Sequence, residues 1–421
     1  MKKRVISSIL AATTLTTLAL PTHQANAEDM SQLKTEGKAI QKDGKDFQLK
    51  GVNAGNAFTT EGYLGGITGE QYKDYPKPYK GLPYKALKDK MDDEFGPDKA
   101  REKLNTYANN HWEDEDFQRI KDMGMNTIRL PLNYINITNY QKGMNPDDVK
   151  VEADSFEAVD TFVEKAKAHG LYVILDFHGV PQSQNAADHS ADTNGGNEGY
   201  GGFWEDNDAQ GKAKEILYQM AKHYKNESTI AGYDILNEPK GVTPKDKEGG
   251  KSDDQVQAFY KDAIQSIRDT GDKHIIFLEA VWDPQDMKDP SYYHDEANSL
   301  VYEYHNYATK YDQSVQESFD KKLDSIKNSD FNVPSYLGEF NIRPMEEGPE
   351  AKPGDLEYIM NKVNHNHLSW TFWNNDVQGD DKWGVFKYDH VNEDPNSPDF
   401  GKKENVQKND DIYNTLKEAA Q

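Results

Sequence analysis

The sequence predicts a (β/α)8 barrel, an α/β fold. Three features carry that expectation: eight short apolar runs, amphipathic stretches between them, and polar residues gathered at the last positions of run after run. Runs that are apolar almost throughout suit strands buried on both faces. A barrel brings the C-terminal ends of all its strands to one rim, where such polar residues meet. A doubly wound open sheet shares the alternation and is the structural alternative.

In chain order the strand candidates are "FQLKGVNAG" (47–55), "MNTIRLPL" (125–132), "LYVILDFH" (171–178) and "IAGYDILNE" (230–238). "HIIFLEA" (274–280), "LVYEYH" (300–305), "VPSYLGEF" (333–340) and "LSWTFWN" (368–374) follow. Helices are expected between the strands, as in "FEAVDTFVEKAKAHG", "AQGKAKEILYQMAKHY" and "VQAFYKDAIQSIRDTG", where apolar residues recur at spacings of three and four. Gly170 and Gly271 stand at the C-terminal ends of two of these, where a helix commonly stops. Two connections, 56–111 and 179–207, are far longer than the ~2–6 residues usual after a strand. In a barrel both rise over the rim that carries the polar residues. The first, with "YKDYPKPYKGLPY", is rich in Tyr and Pro and suits a substrate-contacting wall or a stabilising cap.

The first 27 residues, "MKKRVISSILAATTLTTLALPTHQANA", have a basic start, an apolar middle and a small-x-small end, the layout of a secretory signal peptide. The apolar run is interrupted by Thr and Ser and is shorter than the ~20 residues of a spanning helix. The expected mature chain is therefore residues 28–421, read as one secreted, extracellular catalytic domain without membrane insertion. Loss of Lys2, Lys3 and Arg4 takes the net charge from −24 to −27. That charge repels nucleic acid, anionic membranes and polyanions, and leaves neutral ligands as partners. The absence of cysteine excludes thiol nucleophiles and thiolate metal sites. Nothing in the sequence specifies an oligomeric state.

The polar residues at the ends of the runs are His178, Asn237, Glu238, His305, Glu339 and Trp373. Two carboxylates on different strands are what cleavage of a glycosidic bond requires: one protonates the departing oxygen, the other attacks the anomeric carbon or activates water. "DILNEPKG" ends an apolar run with Asn237 and Glu238 before Pro239, and a plain polar turn would read the same way. "YLGEF" places Glu339 after Gly338, where the missing side chain lets another group approach the backbone. Arg129 in "TIRLP" would set a fixed cation at the mouth, able to hold a carboxylate ionised or to form a structural ion pair. His178 and His305 are hydrogen-bonding candidates, Tyr307 can reach the nucleophile, and Trp373 offers a flat face for a sugar ring.

Together these motifs resemble glycoside hydrolase family 5, a family of clan A retaining β-glycosidases built on (β/α)8 barrels. Arg129, His178, Asn237, Glu238, His305, Tyr307, Glu339 and Trp373 match its pattern in order. The chain is most similar to the exo-β-1,3-glucanase-like branch: "KGVNAGNAFTTEGYL" looks like the first-strand motif that ends in a glucose-binding Glu, here Glu61. "HWEDEDFQRIKDMGMNTIRLPLNY" resembles the segment into strand two, and "DFHGVPQSQNAADHS" the loop after strand three, with Asn185 in its Ser-Gln-Asn triplet. Two Phe that flank the leaving-sugar entrance in that branch are replaced by Ala187 and Lys310.

The resemblance implies that Glu339 attacks the anomeric carbon while Glu238, kept protonated by its surroundings, donates to the leaving oxygen and later activates water. Arg129 and Tyr307 would attend Glu339, while Glu61, His178, Asn185, Asn237, His305 and Trp373 would contact the sugar. The implied substrate is a neutral β-linked oligosaccharide, polysaccharide or glycoside, taken by exo action, with no metal and no organic cofactor. An endo-β-1,4-glucanase (cellulase) or β-mannanase of the same family is the alternative enzyme, and a non-catalytic carbohydrate-binding protein the remote one.

Overall fold

The structure is a computed structural model that describes residues 30–69, 79–193, 201–240, 251–280, 286–345 and 347–421. The leader and parts of both long connections lie outside the described residues. Eight strands form a closed parallel barrel. They are β1 (Lys50–Asn53), β2 (Thr127–Asn133), β3 (Tyr172–Gly179), β4 (Ile230–Asp234), β5 (Ile275–Glu279), β6 (Leu300–Asn306), β7 (Ser335–Phe340) and β8 (Ser369–Phe372). Each pairs with its neighbour in sequence, and β8 closes onto β1. Every run expected to be a strand contains one, with ends shifted by up to four residues. At β4 the strand stops at Asp234, so Asn237 and Glu238 stand beyond the ladder.

Alternation along the strands sorts side chains into two sets. Ile128, Leu130, Leu132, Val173, Leu175 and Phe177 join the large core between barrel and helices. Ile174, Ile275, Phe277, Val301 and Tyr336 form a second core with Met30, Leu33, Ile40 and Leu49, residues of or beside a small antiparallel sheet spanning 34–46. The N-terminal segment thus packs against the inner apolar layer, and the next residues up the same strands are polar.

Outside the barrel lie α1 (Tyr84–Phe95), α2 (Pro97–His111), α3 (Asp114–Asp122), α4 (Glu157–Ala168), α5 (Asn207–Tyr224), α6 (Lys251–Arg268), α7 (Val315–Ser329), α8 (Asp355–His365) and α9 (Asp410–Ala420). Gly170 and Gly271 adopt φ of 66° and 81°, as the helix ends require. The expectation of a helix in every connection fails once: among the described residues, β5 is joined to β6 by a 3-10 turn, Pro290–Tyr293, and no α-helix. The reason is readable in "DPSYYHDEANS", which has a proline and no apolar repeat at helical spacing. No helix among the described residues is long and apolar enough to cross a membrane.

After β8 the chain is anchored to α2 and α3 by a buried ionic cluster. Lys403 Nζ lies 2.6 Å from Asp376 and 3.2 Å from Asp116 at the start of α3, and His111 of α2 is 3.4 Å from Asp376. Burial pushes the Asp376 carboxyl up, but Lys403 and His111 outweigh it and hold the carboxyl below the usual range. A depressed carboxylate contributes stability above its unfolded pKa of about 3.9 and loses it as pH falls toward its folded value. Lys403→Met removes the cation and leaves buried carboxylates behind, so a loss of ~3–5 kcal/mol is expected in urea unfolding at neutral pH. A loss below about 1 kcal/mol would show that the cluster does not anchor this segment.

Candidate active site

Above the apolar layer the barrel interior turns ionic, and Arg129 is its centre. The side chain rises from the middle of β2 with no exposed surface. Nη2 donates to Asp234 (2.6 Å) and Asn237 (2.8 Å), and Nη1 donates to Glu339 (2.8 Å) and Asn53 (3.1 Å). Asp176 lies 3.1 Å from Nη1 and Glu303 3.3 Å from Nε. One guanidinium thereby ties together residues of β1, β3, β4, β6 and β7. A buried cation needs paired anions, and a guanidinium presents its donors in a fixed fork that orients them.

Glu339 is fixed from two sides: Arg129 reaches Oε1, and Tyr307 Oη donates to Oε2 at 2.8 Å. The pairing between β6 and β7 shifts register between Leu337 and Glu339, which brings Glu339 beside His305. Gly338 sits at that shift because a Cβ there would lie 1.7 Å from Glu303 Oε1. The group approaching the missing side chain is therefore the Glu303 carboxyl.

Glu238 is aimed differently. Its φ of 42° is left-handed, a conformation that costs a non-glycine residue about 1–3 kcal/mol and persists where surroundings enforce it. The enforcement is visible: its N–H donates to Glu279 Oε2 at 2.5 Å, and its carbonyl accepts from Asn185 Nδ2 at 3.2 Å. Pro239 follows directly. His305 Nδ1 lies 3.0 Å from Glu238 Oε1 and 3.6 Å from Glu339 Oε2. One nitrogen thus spans both carboxylates, whose facing oxygens are no farther apart than the sum of those distances.

The remaining predicted residues gather on the same rim. His178 Nδ1 is 2.6 Å from Asp176, and its Nε2 faces the Asn237 amide at 3.4 Å. Trp373 lies parallel to the His178 ring at 5.8 Å and donates from Nε1 to Tyr63 Oη at 3.0 Å. Glu61 is buried, with Tyr63 hydrogen-bonded to it. Asn185 faces inward to the loop: besides the Glu238 carbonyl, its amide meets His189 at 2.8 Å and accepts from the Ala187 N–H at 2.9 Å. These bonds tie the loop to Glu238. Ala187 lies in that same loop, and Lys310 lies in the loop after β6, where its amine is 3.4 Å from Glu347.

Several residues at the site were not foreseen. Glu279, Glu303, Asp176 and Asp234 sit within "IIFLE", "VYEYH", "VILDFH" and "GYDIL", and an acid inside a doubly buried run was the available signal. Tyr63 and Trp383 had none beyond being aromatic. Trp383, from the segment after β8, stands 4.9 Å from the Tyr63 ring and 6.0 Å from the Tyr307 ring. With Glu61 and Trp373 they wall the rim on the side of β8 and β1.

The protons are arranged otherwise than expected. Burial pushes Glu238 up, but the hydrogen bond from His305 and the charges of His189, His305 and Lys240 outweigh it and bring its pKa to about 2. These neighbours favour its ionised form. His305 is shifted the other way: burial opposes its charge, yet Glu279, Glu339, Glu238 and Glu303 hold its pKa well above that of an ordinary imidazole. Burial also raises Glu279 and Glu61 well above the carboxylate range, and raises Glu303 to about 7. His178 is pushed well down, by burial first and then by the charges of His189, Arg129 and His305. Glu238, Glu279 and His305 offer ligand atoms within 4.8 Å of one another, close enough to hold a cation. Here those atoms are engaged with each other.

Comparison with known proteins agrees with this geometry. The chain is 26% identical over 371 residues to a β-xylosidase of Phanerodontia chrysosporium, covering 82% of this chain and 70% of that one. It is 26% identical over 272 residues to a glucan 1,3-β-glucosidase of Blumeria graminis, covering 63% of this chain and 57% of that one. The chain thus spans less than two thirds of the second relative's length. Among solved structures an endogalactoceramidase superimposes with a TM-score of 0.56 at 18% identity, over 92% of this chain and 85% of that one, a likeness of fold. The model of cellulase (glycosyl hydrolase family 5) matches residues 93–379, which span β2 to β8 and both carboxylates. The chain belongs to glycosyl hydrolase family 5 and is a glycoside hydrolase.

Proposed function

We propose that the protein is a secreted, retaining, exo-acting β-glycosidase that removes single glucose units from neutral β-glucosides, with Glu339 as nucleophile and Glu238 as acid/base. The observation that carries this reading is His305 spanning both carboxylates. Their oxygens can lie at the ~5–5.5 Å of retaining pairs and reach, at most, the lower edge of the ~6.5–9.5 Å of inverting ones. The β-glucosidic substrate is supported by the relatives named glucan 1,3-β-glucosidase. Exo action is supported by the wall of Glu61, Tyr63, Trp373 and Trp383 on the side of β8 and β1. Secretion rests on the leader sequence, and residues 28–421 are read as the mature catalytic domain.

In the first step a Glu339 oxygen forms a bond to the anomeric carbon as the bond to the leaving oxygen breaks. The leaving oxygen takes its proton from the Glu238–His305 pair. Because burial alone favours neutral Glu238, exclusion of water by the bound sugar shifts that proton from Nδ1 to Oε1, across the 3.0 Å contact. In the second step Glu238 takes a proton from water, the water oxygen attacks the same carbon, and the bond to Glu339 breaks. Arg129 and Tyr307 hold the Glu339 carboxylate in line throughout. Glu61, His178, Asn237, His305 and Trp373 are assigned to the sugar, and Asn185 to the loop that aims Glu238.

The first product observed by proton NMR during hydrolysis of a β-linked glucan oligomer should be β-glucose, released singly from the non-reducing end. α-Glucose first would defeat retention, and mixed oligomers would defeat exo action. The pH profile gives a second test. The acid is the coupled pair, which holds its proton with the raised affinity of His305, so the basic limb of kcat/KM should lie above the ~6.5 of an ordinary imidazole. In His305→Asn the proton must reside on Glu238 itself, and the basic limb should move to lower pH. An unchanged limb would show that His305 does not share the catalytic proton.

A further inference from the structure

We propose that His189 is a positioning residue for the acid/base: it stands against the Glu238 oxygen opposite the one that faces His305, and keeps the carboxyl aimed at the leaving oxygen. The proposal rests on the reading of Glu238 as acid/base and adds a residue to that machinery. His305 Nδ1 lies 3.0 Å from Oε1, and His189 Nε2 lies 3.5 Å from Oε2. The two rings come from different elements, His305 from β6 and His189 from the loop after β3. The Glu238 side chain is 32% exposed, so packing alone does not cage it. A carboxyl held at one oxygen can still swing, whereas neighbours at both oxygens fix its plane.

His189 is itself held in place. It stands in a 3-10 turn, Asp188–Ser190. Ser190 is buried, and its hydroxyl pairs with that of Ser183 and donates to the Ala187 carbonyl at 2.8 Å. A Cβ on Gly179, the last residue of β3, would lie 2.4 Å from the Ser190 carbonyl oxygen, so the turn packs directly on the strand end. The His178 and His189 rings meet edge to face at 5.5 Å. Asn185 fixes the ring from the other side. Its Oδ1 accepts from the Ala187 N–H and its Nδ2 donates to the Glu238 carbonyl, so the group that faces His189 Nε2 at 2.8 Å is an N–H donor. Nε2 therefore stands between a donor, Asn185, and an acceptor, Oε2. A neutral ring blocks the outward swing of Oε2 by contact, and a protonated one adds a charge-assisted hydrogen bond to it.

The test compares wild-type protein with His189→Ala, His189→Gln and Glu238→Ala on two substrates. Methyl β-glucoside has a leaving oxygen that needs a proton, and 2,4-dinitrophenyl β-glucoside has one that needs none. For each variant the ratio of the two kcat/KM values reports acid assistance in the first step and does not depend on how much of the protein is folded. His189→Ala should lower the methyl-to-dinitrophenyl ratio about tenfold, as expected of a misaimed acid. The amide of His189→Gln can accept from Asn185 and donate to Oε2, so its ratio should return to within about threefold of wild type. Glu238→Ala should lower the ratio further still. An unchanged ratio in His189→Ala, or a Gln variant no better than the Ala variant, overturns the role of His189 and leaves the acid/base reading standing if Glu238→Ala lowers the ratio. An unchanged ratio in Glu238→Ala overturns both, as does a wild-type protein that hydrolyses neither glucoside.

Discussion

Arg129 is the interaction on which the site depends. A guanidinium without exposed surface must be surrounded by acceptors, and here they come from five strands: Asn53, Asp176, Asp234 with Asn237 just beyond it, Glu303 and Glu339. The cation explains why so many acids are found inside a barrel whose lower layer is largely apolar. It also explains their order, because each acid takes the place that one donor of a rigid fork assigns to it. Glu339 is thereby positioned by the barrel itself and not by a loop.

Four carboxylates around one cation are more negative charge than a buried site holds fully ionised, so protons collect there. Burial raises Asp176 and Glu303, opposed by Arg129, and raises Glu279, opposed by His305. The protonated His305 extends the same logic outward, as a second cation between Glu238, Glu279, Glu303 and Glu339. The acid/base group is in this account a carboxylate with an adjacent proton store, set on a strained backbone that Glu279 and Asn185 enforce. The aromatic residues Tyr63, Trp373 and Trp383 line the rim beside Glu61 on the side of β8 and β1.

Much of this was legible in the sequence because barrel strands advertise themselves twice, as apolar runs and as polar residues at run ends. Arg129, His178, Asn237, Glu238, His305, Glu339 and Trp373 all fell at such ends or interrupted such runs. The missing α-helix between β5 and β6 was legible too, had the absence of an apolar repeat there been weighed against the regularity of the rest. The raised proton affinity of His305 was not legible, since it follows from its closeness to Glu238, Glu279, Glu303 and Glu339, which come from distant parts of the sequence. Nor was the wall, because Tyr63 and Trp383 are over three hundred residues apart in sequence and become neighbours only when β8 closes onto β1. The bond that Asn185 makes to the Glu238 carbonyl was not legible either, since it joins residues over fifty positions apart.

The central claim is that Glu339, oriented by Arg129 and Tyr307, forms a covalent bond to the sugar. Incubation with a 2-deoxy-2-fluoro-β-glucoside bearing a good leaving group slows the second step more than the first, and mass spectrometry of the digested protein then locates any sugar that stays attached. The account predicts one fluoroglucosyl group on the peptide carrying Glu339 and none on that carrying Glu238. Labelling of Glu238, or complete turnover of the reagent with the inverted anomer as product, would contradict it.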